Sequence, residues 1–291
     1  REFSKPPCLI TFDDGWKDNL TFAEPILRTQ QVPAVIFLPT DYIGTGKTFW
    51  QERLSRLLFR LGQQPTLREH PLIARYGLSD LYTAKPSELA ARAGALAQTF
   101  KYREPEIAEN VIAEVSGALA SQDDRADIDT YLSWEDVQAM RLDGIAFGSH
   151  TVSHRILTQI DPRAVSEELT ESKRVLEQRL NTPARFLAYP NGNHDADTCN
   201  RARLAGYALA FTVVPGVVAR GDDPMRFAEL VTREQHLVPR LGVLAITLND
   251  ALIDLVDAGP CERALAHRHR GRLLAAADAG RCDHAHLLAQ D

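Results

Sequence analysis

The stretch CLITFDDG, residues 8–15, runs from apolar β-forming residues into an acidic turn and a glycine. This order predicts a short strand that ends in a loop. A helix is predicted through Ala23 to Gln30, and a second apolar strand, Ala34–Leu38, stops at Pro39. Because one helix separates the two strands, the segment predicts a βαβ unit and a parallel sheet.

The same alternation of strands and helices returns after residue 133. Three further short strands are predicted, and the helices between them begin after Ser133 and at Asp161-Pro162. The second of these helices has an N-cap residue and a proline in its first turn. The predicted strands are 145–147, 186–189 and 209–214. The chain is therefore assigned to the α/β class.

Residues 49–129 do not continue this alternation of strands and helices. Leu54, Leu57, Leu58 and Leu61 recur at helical spacing, and two later stretches are rich in Ala, Leu and Glu. This pattern predicts a helical insertion at about 50–130 on the α/β body. Towards the end of the chain, residues 243–256 and 262–290 are also predicted to be helical.

The composition excludes few classes of protein. The chain has 291 residues and a formal net charge of -6, which argues against a nucleic-acid partner, since nucleic-acid binders usually carry a basic surplus. No apolar run is long enough to span a bilayer, so no transmembrane segment is expected. The sequence begins at Arg1 without a visible signal peptide, and its localisation is left open, as is its oligomeric state.

Three predicted strands end in polar clusters. These are Asp13-Asp14, His150-x-x-x-His154 and Tyr189-Pro190-Asn191-Gly192. Sites in parallel α/β folds form at the carboxyl ends of strands. If the three strands lie side by side, the clusters meet at one edge of the sheet, at the carboxyl ends of the strands.

The residue types in two of these clusters are typical of a metal site. On one helical turn, the spacing of His150 and His154 would place both rings on the same side. Neutral imidazoles suit zinc and other borderline metals, and a carboxylate from a neighbouring strand end would complete three ligands. With two adjacent acids, Asp14 can bind the metal while Asp13 takes a proton from an attacking water.

Together these motifs resemble those of a known family. Thr11-Phe12-Asp13-Asp14-Gly15 is similar to the first motif of polysaccharide deacetylases with the NodB-homology domain, carbohydrate esterase family four. His150-Thr151-Val152-Ser153-His154 resembles their second motif, and Arg185-Phe186-Leu187-Ala188-Tyr189-Pro190 the third. The resemblance covers Leu9 to about Pro215.

The resemblance implies a fold and a division of the chain. The implied fold is a distorted (β/α) barrel of about seven parallel strands with a helical insertion. We expect a NodB-like deacetylase domain over residues 1–260, including the insertion, and a C-terminal helical extension over residues 261–291.

The resemblance also implies roles for single residues. Asp13 would be the catalytic base, and Asp14, His150 and His154 would bind a divalent metal, with zinc expected. Arg185 would orient Asp13 through a charge-assisted contact. A backbone N–H near Asn191 would stabilise the oxyanion, and the substrate and oxyanion contacts are assigned to Tyr189, Pro190, Asn191 and His194.

The sequence departs from the family after the third motif. Asn191 stands where an aromatic residue is frequent, and the strand over residues 209–214 lacks the Asp and Trp of the fourth motif. No Leu-x-His stands where the fifth motif would supply the general acid. His236 is the candidate for that acid, and His194 is its rival.

The expected function is metal-dependent hydrolysis of N-acetyl groups on amino sugars, with an N-acetylated polysaccharide or oligosaccharide as substrate. One alternative keeps the chemistry and changes the substrate, giving a sugar O-acetyl esterase or a lipid-linked sugar deformylase. Another alternative is a non-catalytic carbohydrate-binding module, which would bind its ligand without turnover.

Overall fold

A computed structural model of the protein shows an α/β architecture. No helix among the residues it describes is long and apolar enough to cross a membrane. Those residues are 8–101, 103, 105–119, 130–216, 221–228, 230–231 and 243–247. The described residues divide into two compact units, one formed by those within 1–45 and 131–291 and the other by those within 46–130.

A curled, parallel sheet of five strands forms the centre of the first unit. Its strands are β1 (Cys8–Phe12), β2 (Ala34–Leu38), β3 (Ala146–Ser149), β4 (Phe186–Ala188) and β5 (Leu209–Phe211). They lie in the order β5-β4-β3-β2-β1, and each neighbouring pair is parallel. All five residues of β2 are buried, as expected for a parallel strand covered on both faces.

Helices connect the parallel strands. They are α1 (Glu24–Gln30), α6 (Trp134–Leu142), α7 (Pro162–Leu180) and α8 (Ala196–Leu204), and helices α2 to α5 belong to the second unit. The carboxylate of Asp161 accepts hydrogen bonds from Arg163 N and Ala164 N, and Asn181 ends α7 with a φ of 52°. These caps satisfy backbone groups that a helix end otherwise leaves unpaired.

The core of the first unit lies on both faces of the sheet. Alternate residues of β4 and β5 point to opposite sides, as the two-residue period of a strand requires. Phe186 and Phe211 pack with Phe37 on one face. On the other face, Leu187 and Ala210 pack in one apolar cluster with four residues of α7 and α8, which are Val165, Leu169, Cys199 and Ala202.

Two further strands extend the sheet beyond β1, and both are antiparallel to their neighbours. They are β6 (Leu230–Val231) and β7 (Val243–Thr247), and β7 pairs with β1. The α/β class is confirmed, whereas the number of parallel strands among the described residues is five. An antiparallel pair needs no crossover helix, so these two strands join the sheet without the βαβ pattern.

The helix predicted from residue 243 is wrong over its first five residues, which form β7. Val-Leu-Ala-Ile-Thr is a short apolar run, and periodicity alone does not separate a buried strand from a helix in such a run. Pairing with β1 selects the strand. Residues 248–256 and the predicted C-terminal extension, 261–291, lie outside the described residues.

The second unit contains only helices among its described residues. They are α2 (Trp50–Gly62), α3 (Pro71–Tyr76), α4 (Leu89–Gln98) and α5 (Pro105–Ala118), with short 3-10 turns between them. The four leucines at helical spacing in α2 are all buried, and they pack with residues of the other three helices into one apolar cluster. This unit therefore has a core of its own, and we propose that it is the helical insertion predicted from the sequence.

Candidate active site

The three polar clusters follow strands that are parallel to one another. Asp13 follows β1, His150 follows β3 and Tyr189 follows β4. Strand β2 lies between β1 and β3, and its last residue, Leu38, accepts a hydrogen bond from His150 N at 2.9 Å. Because the carboxyl ends of parallel strands share one edge of a sheet, the clusters converge there.

Asp14, His150 and His154 form a compact group of three ligand atoms. Oδ1 of Asp14 lies 3.6 Å from Nε2 of His150 and 3.3 Å from Nε2 of His154. All three atoms lie within 4.8 Å of one another. Ligands about 2.0–2.1 Å from a tetrahedral zinc stand roughly 3.3–3.4 Å apart. The spacing therefore suits a small divalent metal bound by two imidazoles and one carboxylate.

The buried ring of His150 is oriented by the main chain of β4. Its Nδ1 lies 2.8 Å from the carbonyl oxygen of Ala188. Since a carbonyl oxygen only accepts, Nδ1 carries a proton, and Nε2 is the ring nitrogen that faces Asp14. Histidine ligands of metals commonly donate their other N–H in this way, which fixes the tautomer and the ring orientation.

Asp14 is oriented by a residue that the sequence analysis did not single out. Nε1 of Trp16 donates a hydrogen bond to Oδ2 of Asp14 at 3.1 Å, while Oδ1 faces the two histidines. The indole stacks on Tyr131 with ring centroids 4.6 Å apart. The sequence signal for this contact is the indole N–H of Trp16, two residues after Asp14.

The histidine pair lies on a loop, which corrects the expectation of a helical turn. Residues 150–154 have no helical assignment, and Thr151 and His154 have φ values of 68° and 57°. A positive φ in a β-branched residue is uncommon, and such residues cost of order 1–3 kcal/mol each and cluster at functional sites. The loop still brings the rings together, with centroids 4.7 Å apart.

Hydrogen bonds from several directions hold this loop. His154 N donates to Oγ1 of Thr151 at 3.1 Å, and Thr40 N donates to the carbonyl oxygen of Thr151 at 3.1 Å. The carboxylate of Glu168, on α7, accepts from Val152 N and Ser153 N. Sequence analysis missed Glu168, although a glutamate between Val165 and Leu169 interrupts the apolar stripe of the helix.

Asp13 lies at the edge of the metal-ligand group. Its Oδ2 is 3.9 Å from Nε2 of His150, and its side chain is 29% exposed. Burial and, next, the negative charge of Asp14 raise the pKa of Asp13 to about 8. A divalent cation beside the two carboxylates would act in the opposite direction, since a nearby positive charge favours the ionised form.

The cluster Tyr189-Pro190-Asn191-Gly192 forms a tight turn after β4. Pro190–Gly192 is a 3-10 turn, in which Asn191 and Gly192 have φ values of 58° and 71°. A Cβ on Gly192 would lie 2.3 Å from Cγ2 and 2.7 Å from N of Val213. Only glycine fits this contact. The side-chain amide of Asn191 donates to Oδ1 of Asn193.

Tyr189 and His194 lie on two sides of this turn. The Tyr189 side chain is buried, and its hydroxyl donates to Sγ of Cys199 at 3.6 Å. Burial raises the pKa of that hydroxyl far above its ordinary value. His194 stacks on the Tyr189 ring and donates from Nδ1 to the carbonyl oxygen of Gly192 at 2.9 Å. Of the two side chains, that of His194 is the more exposed.

The catalytic roles predicted for Arg185 and His236 stay predictions. Arg185 is half-buried, and its carbonyl oxygen accepts from Ala208 N and Leu209 N at the start of β5. Its predicted contact with Asp13 is a matter of the side chain and stays a prediction. His236 lies outside the described residues.

Taken together, these residues define an α/β protein with a candidate metal centre at the carboxyl ends of its parallel strands. The family model for polysaccharide deacetylases matches residues 97–210, a range that includes the second and third motifs. The resemblance to the polysaccharide deacetylases of the NodB-homology type, predicted from the motifs, is therefore confirmed.

The chain is also similar to individual proteins. The chain is 28% identical over 90 residues to "Putative polysaccharide deacetylase YxkH" of Bacillus subtilis, which is 31% of this chain and 32% of that protein. Among solved structures, it is similar to the Streptococcus pyogenes deacetylase PplD in complex with acetate, with 18% identity, a TM-score of 0.45, and coverage of 76% of this chain and 62% of that one.

A second similar structure is IcaB from Ammonifex degensii. It has 17% identity and a TM-score of 0.46, and the match covers 77% of this chain and 67% of that one. The chain thus spans about a third of the curated relative and less than two thirds of the PplD chain.

Proposed function

We propose that the protein is a metal-dependent deacetylase that hydrolyses N-acetyl groups on the amino sugars of a polysaccharide or oligosaccharide. The observation that carries this proposal is the convergence of Asp14, His150 and His154 within 4.8 Å, with Asp13 beside them. The family match supports deacetylation as the reaction class.

The donor set fits a divalent metal, and zinc is the metal we expect. Because Nδ1 of His150 donates to Ala188, Nε2 is the nitrogen that would bind the metal in the neutral ring, the form in which imidazole binds metals. Trp16 holds one oxygen of Asp14 and leaves the other facing the histidines. When bound, the metal would act as a Lewis acid that polarises a carbonyl oxygen and makes water more acidic.

Asp13 is the proposed general base. Its carboxylate lies beside the ligand group without being one of the three converging ligands. This position supports the proposal that Asp13 takes the proton from the attacking water. A general base in such a position contributes about 10²–10⁴-fold to the rate. Arg185 is proposed to orient this carboxylate.

The turn after β4 is proposed to bind the reacting acetyl group. A backbone N–H near Asn191 would donate to the oxygen that becomes negative when water attacks the carbonyl carbon. The left-handed conformation of Asn191 and Gly192 turns the chain sharply at this point. Pro190 fixes the start of the turn, and Tyr189 anchors it in the core.

Protonation of the leaving amine needs an acid. His236 is proposed for this role, with His194 as the alternative. Since Nδ1 of His194 donates to Gly192, its Nε2 is the nitrogen that would carry the proton to the amine. Replacing each histidine by glutamine and comparing the acidic and basic limbs of the pH–rate profile would decide between them, because only loss of the acid removes the basic limb.

The decisive experiment measures acetate release from N-acetylglucosamine oligomers. The protein is stripped with a chelator, and zinc is then restored. We expect turnover only with the metal. Asp13→Asn should lower kcat by about 10²–10⁴-fold while the zinc affinity stays close to that of the wild type.

Asp161→Asn is the matched control. Asp161 caps α7, and asparagine caps a helix about as well as aspartate, so this variant should keep full activity. A fully active Asp13→Asn enzyme would exclude Asp13 as the base. Equal acetate release by stripped and zinc-loaded protein would exclude a metal-dependent reaction.

A substrate panel separates the remaining possibilities. N-acetylated, O-acetylated and N-formylated sugars present the same kind of carbonyl to the same site. Turnover of an O-acetyl or N-formyl sugar alone would replace the proposed substrate. Oligosaccharide binding without turnover of any member would identify a carbohydrate-binding module.

A further inference from the structure

The loop that carries the two histidine ligands is supported from α7 by a buried carboxylate. Oε2 of Glu168 accepts hydrogen bonds from Val152 N at 2.8 Å and from Ser153 N at 2.9 Å. Its Oε1 accepts a further hydrogen bond from the hydroxyl of Ser153. The residues bound by Glu168 are thus two of the three that separate His150 from His154.

The position of Glu168 is unusual for a charged residue. It is only 9% exposed and lies on the face of α7 that also buries Val165, Leu169 and Ser172. A buried carboxylate is costly unless hydrogen bonds compensate for the lost water. The two amides and the hydroxyl supply that compensation, and hydrogen bonds to an ionised acceptor are stronger than neutral ones.

The loop needs such support because of its backbone conformation. Thr151 and His154 both have positive φ values, which L-residues with side chains rarely adopt. Glu168 binds the two residues between them, so it stabilises the strained turn at its centre. Without that contact, the loop is expected to relax and His154 to move away from Asp14.

Two serine hydroxyls fix the part of α7 that carries Glu168. The hydroxyl of Ser172 donates to the carbonyl oxygen of Glu168 at 2.7 Å and lies 2.8 Å from Oγ of Ser149. Oγ of Ser149 also accepts a hydrogen bond from Thr151 N at 3.1 Å. Helix α7 and the end of β3 therefore hold all three residues between His150 and His154.

We propose that Glu168 is a positioning residue that holds the His150–His154 loop in its metal-binding conformation and so sets the metal affinity of the site. This inference rests on the proposed metal site. Residues that orient metal ligands typically contribute 10–100-fold to affinity. Glu168→Ala, which removes all three hydrogen bonds, should therefore weaken zinc binding by about 10–100-fold.

The test measures the zinc dissociation constant by competition with a chromophoric chelator, on the full chain, at a temperature where circular dichroism shows each variant folded. Glu168→Gln should stay within a few-fold of the wild type. Its amide oxygen can accept from both backbone N–H groups, and its amide nitrogen can donate to Ser153. Glu167→Ala is the matched control, since Glu167 is the exposed neighbour that pairs with Arg163.

Each outcome has a defined meaning. Weaker zinc binding by folded Glu168→Ala, with near wild-type binding by Glu168→Gln and Glu167→Ala, supports the proposal. Wild-type affinity of folded Glu168→Ala overturns it, because a purely structural residue would change stability alone. If Glu168→Ala does not fold, Glu168→Asp is measured instead. It keeps the charge but is one methylene too short, so it should bind zinc at least 10-fold more weakly, and wild-type affinity would overturn the proposal.

The proposed function can fail separately. If the wild-type protein itself does not bind zinc, the metal site is refuted, and this inference falls with it. If the wild type binds zinc and releases acetate while Glu168→Ala does both equally well, only the role of Glu168 is refuted.

Discussion

Nε1 of Trp16 donates a hydrogen bond to Oδ2 of Asp14 at 3.1 Å, and the same indole stacks on Tyr131. The contact assigns the two carboxylate oxygens to different partners. One is held by the indole, and the other faces His150 and His154. A ligand that is oriented before the metal arrives loses less conformational freedom on binding, which favours tight binding.

Removing this donor should weaken the metal site. In Trp16→Phe, the ring still stacks on Tyr131, but the N–H is lost. We expect the zinc dissociation constant to rise by about 10-fold, with little change in the free energy of unfolding. Trp134→Phe is the control, because the Trp134 ring contacts the guanidinium of Arg179. An unchanged dissociation constant in Trp16→Phe would show that Asp14 needs no such partner.

Gly192 should tolerate no side chain, because of a contact as well as its φ. A left-handed φ in an alanine costs roughly 1–2 kcal/mol, and Gly192 and Gly77 have nearly the same φ, 71° and 70°. A Cβ at Gly77 would meet no described atom within 4 Å, whereas one at Gly192 would lie 2.7 Å from Val213 N. Gly192→Ala should therefore lose a further 1–3 kcal/mol, roughly the cost of overpacking.

Urea unfolding of Gly192→Ala and Gly77→Ala measures this difference. Because the clash falls in the turn proposed to bind the acetyl group, Gly192→Ala should also lower kcat for acetate release, and Gly77→Ala should not. Equal losses of stability in the two variants would show that Val213 moves aside without cost.

Asp136 should make stability depend on pH in the acid range. Burial raises its pKa, but hydrogen bonds from Lys17 and from Ser133 outweigh burial and hold the pKa below its ordinary value. A carboxylate with a lowered pKa stabilises the fold above its unfolded pKa of about 3.9. That contribution is lost as the pH falls through the folded-state pKa.

The comparison of wild type with Asp136→Asn tests this expectation. The difference in free energy of unfolding should be constant between pH 6 and pH 7, on the order of two units above the unfolded pKa, and should shrink below about pH 4. Lys17→Met should reduce the same pH dependence, because it removes the cation that lies 2.6 Å from Asp136. A difference that stays constant down to pH 3, roughly one unit below the unfolded pKa, would contradict the assignment.

The helical unit should depend on its own apolar cluster. Leu58, in α2, is fully buried within it. Leu58→Ala should cost about 2–5 kcal/mol, since it leaves a cavity as well as removing apolar contacts. Arg56→Ala, at an exposed position of the same helix, is the control and should change stability by less than about 0.5 kcal/mol. Chemical denaturation of both variants provides the measurement.

The sequence by itself predicted the five parallel strands and the polar residues at their ends. Apolar runs stopped by Asp13-Asp14, by His150 and by Pro190 are local signals, because a strand and the residue that ends it are neighbours in the chain. The resemblance to polysaccharide deacetylases depended on the same short motifs, and the family match confirms it.

Only the tertiary structure decided how these ends are arranged and held. The loop geometry of His150 and His154 replaces the expected helical turn, and it depends on Glu168, fourteen residues beyond His154 in the chain. The strand at Val243–Thr247 replaces an expected helix because it pairs with β1, more than two hundred residues earlier. Hydrogen bonds between distant residues set these features, and the periodicity of a local segment carries no record of them.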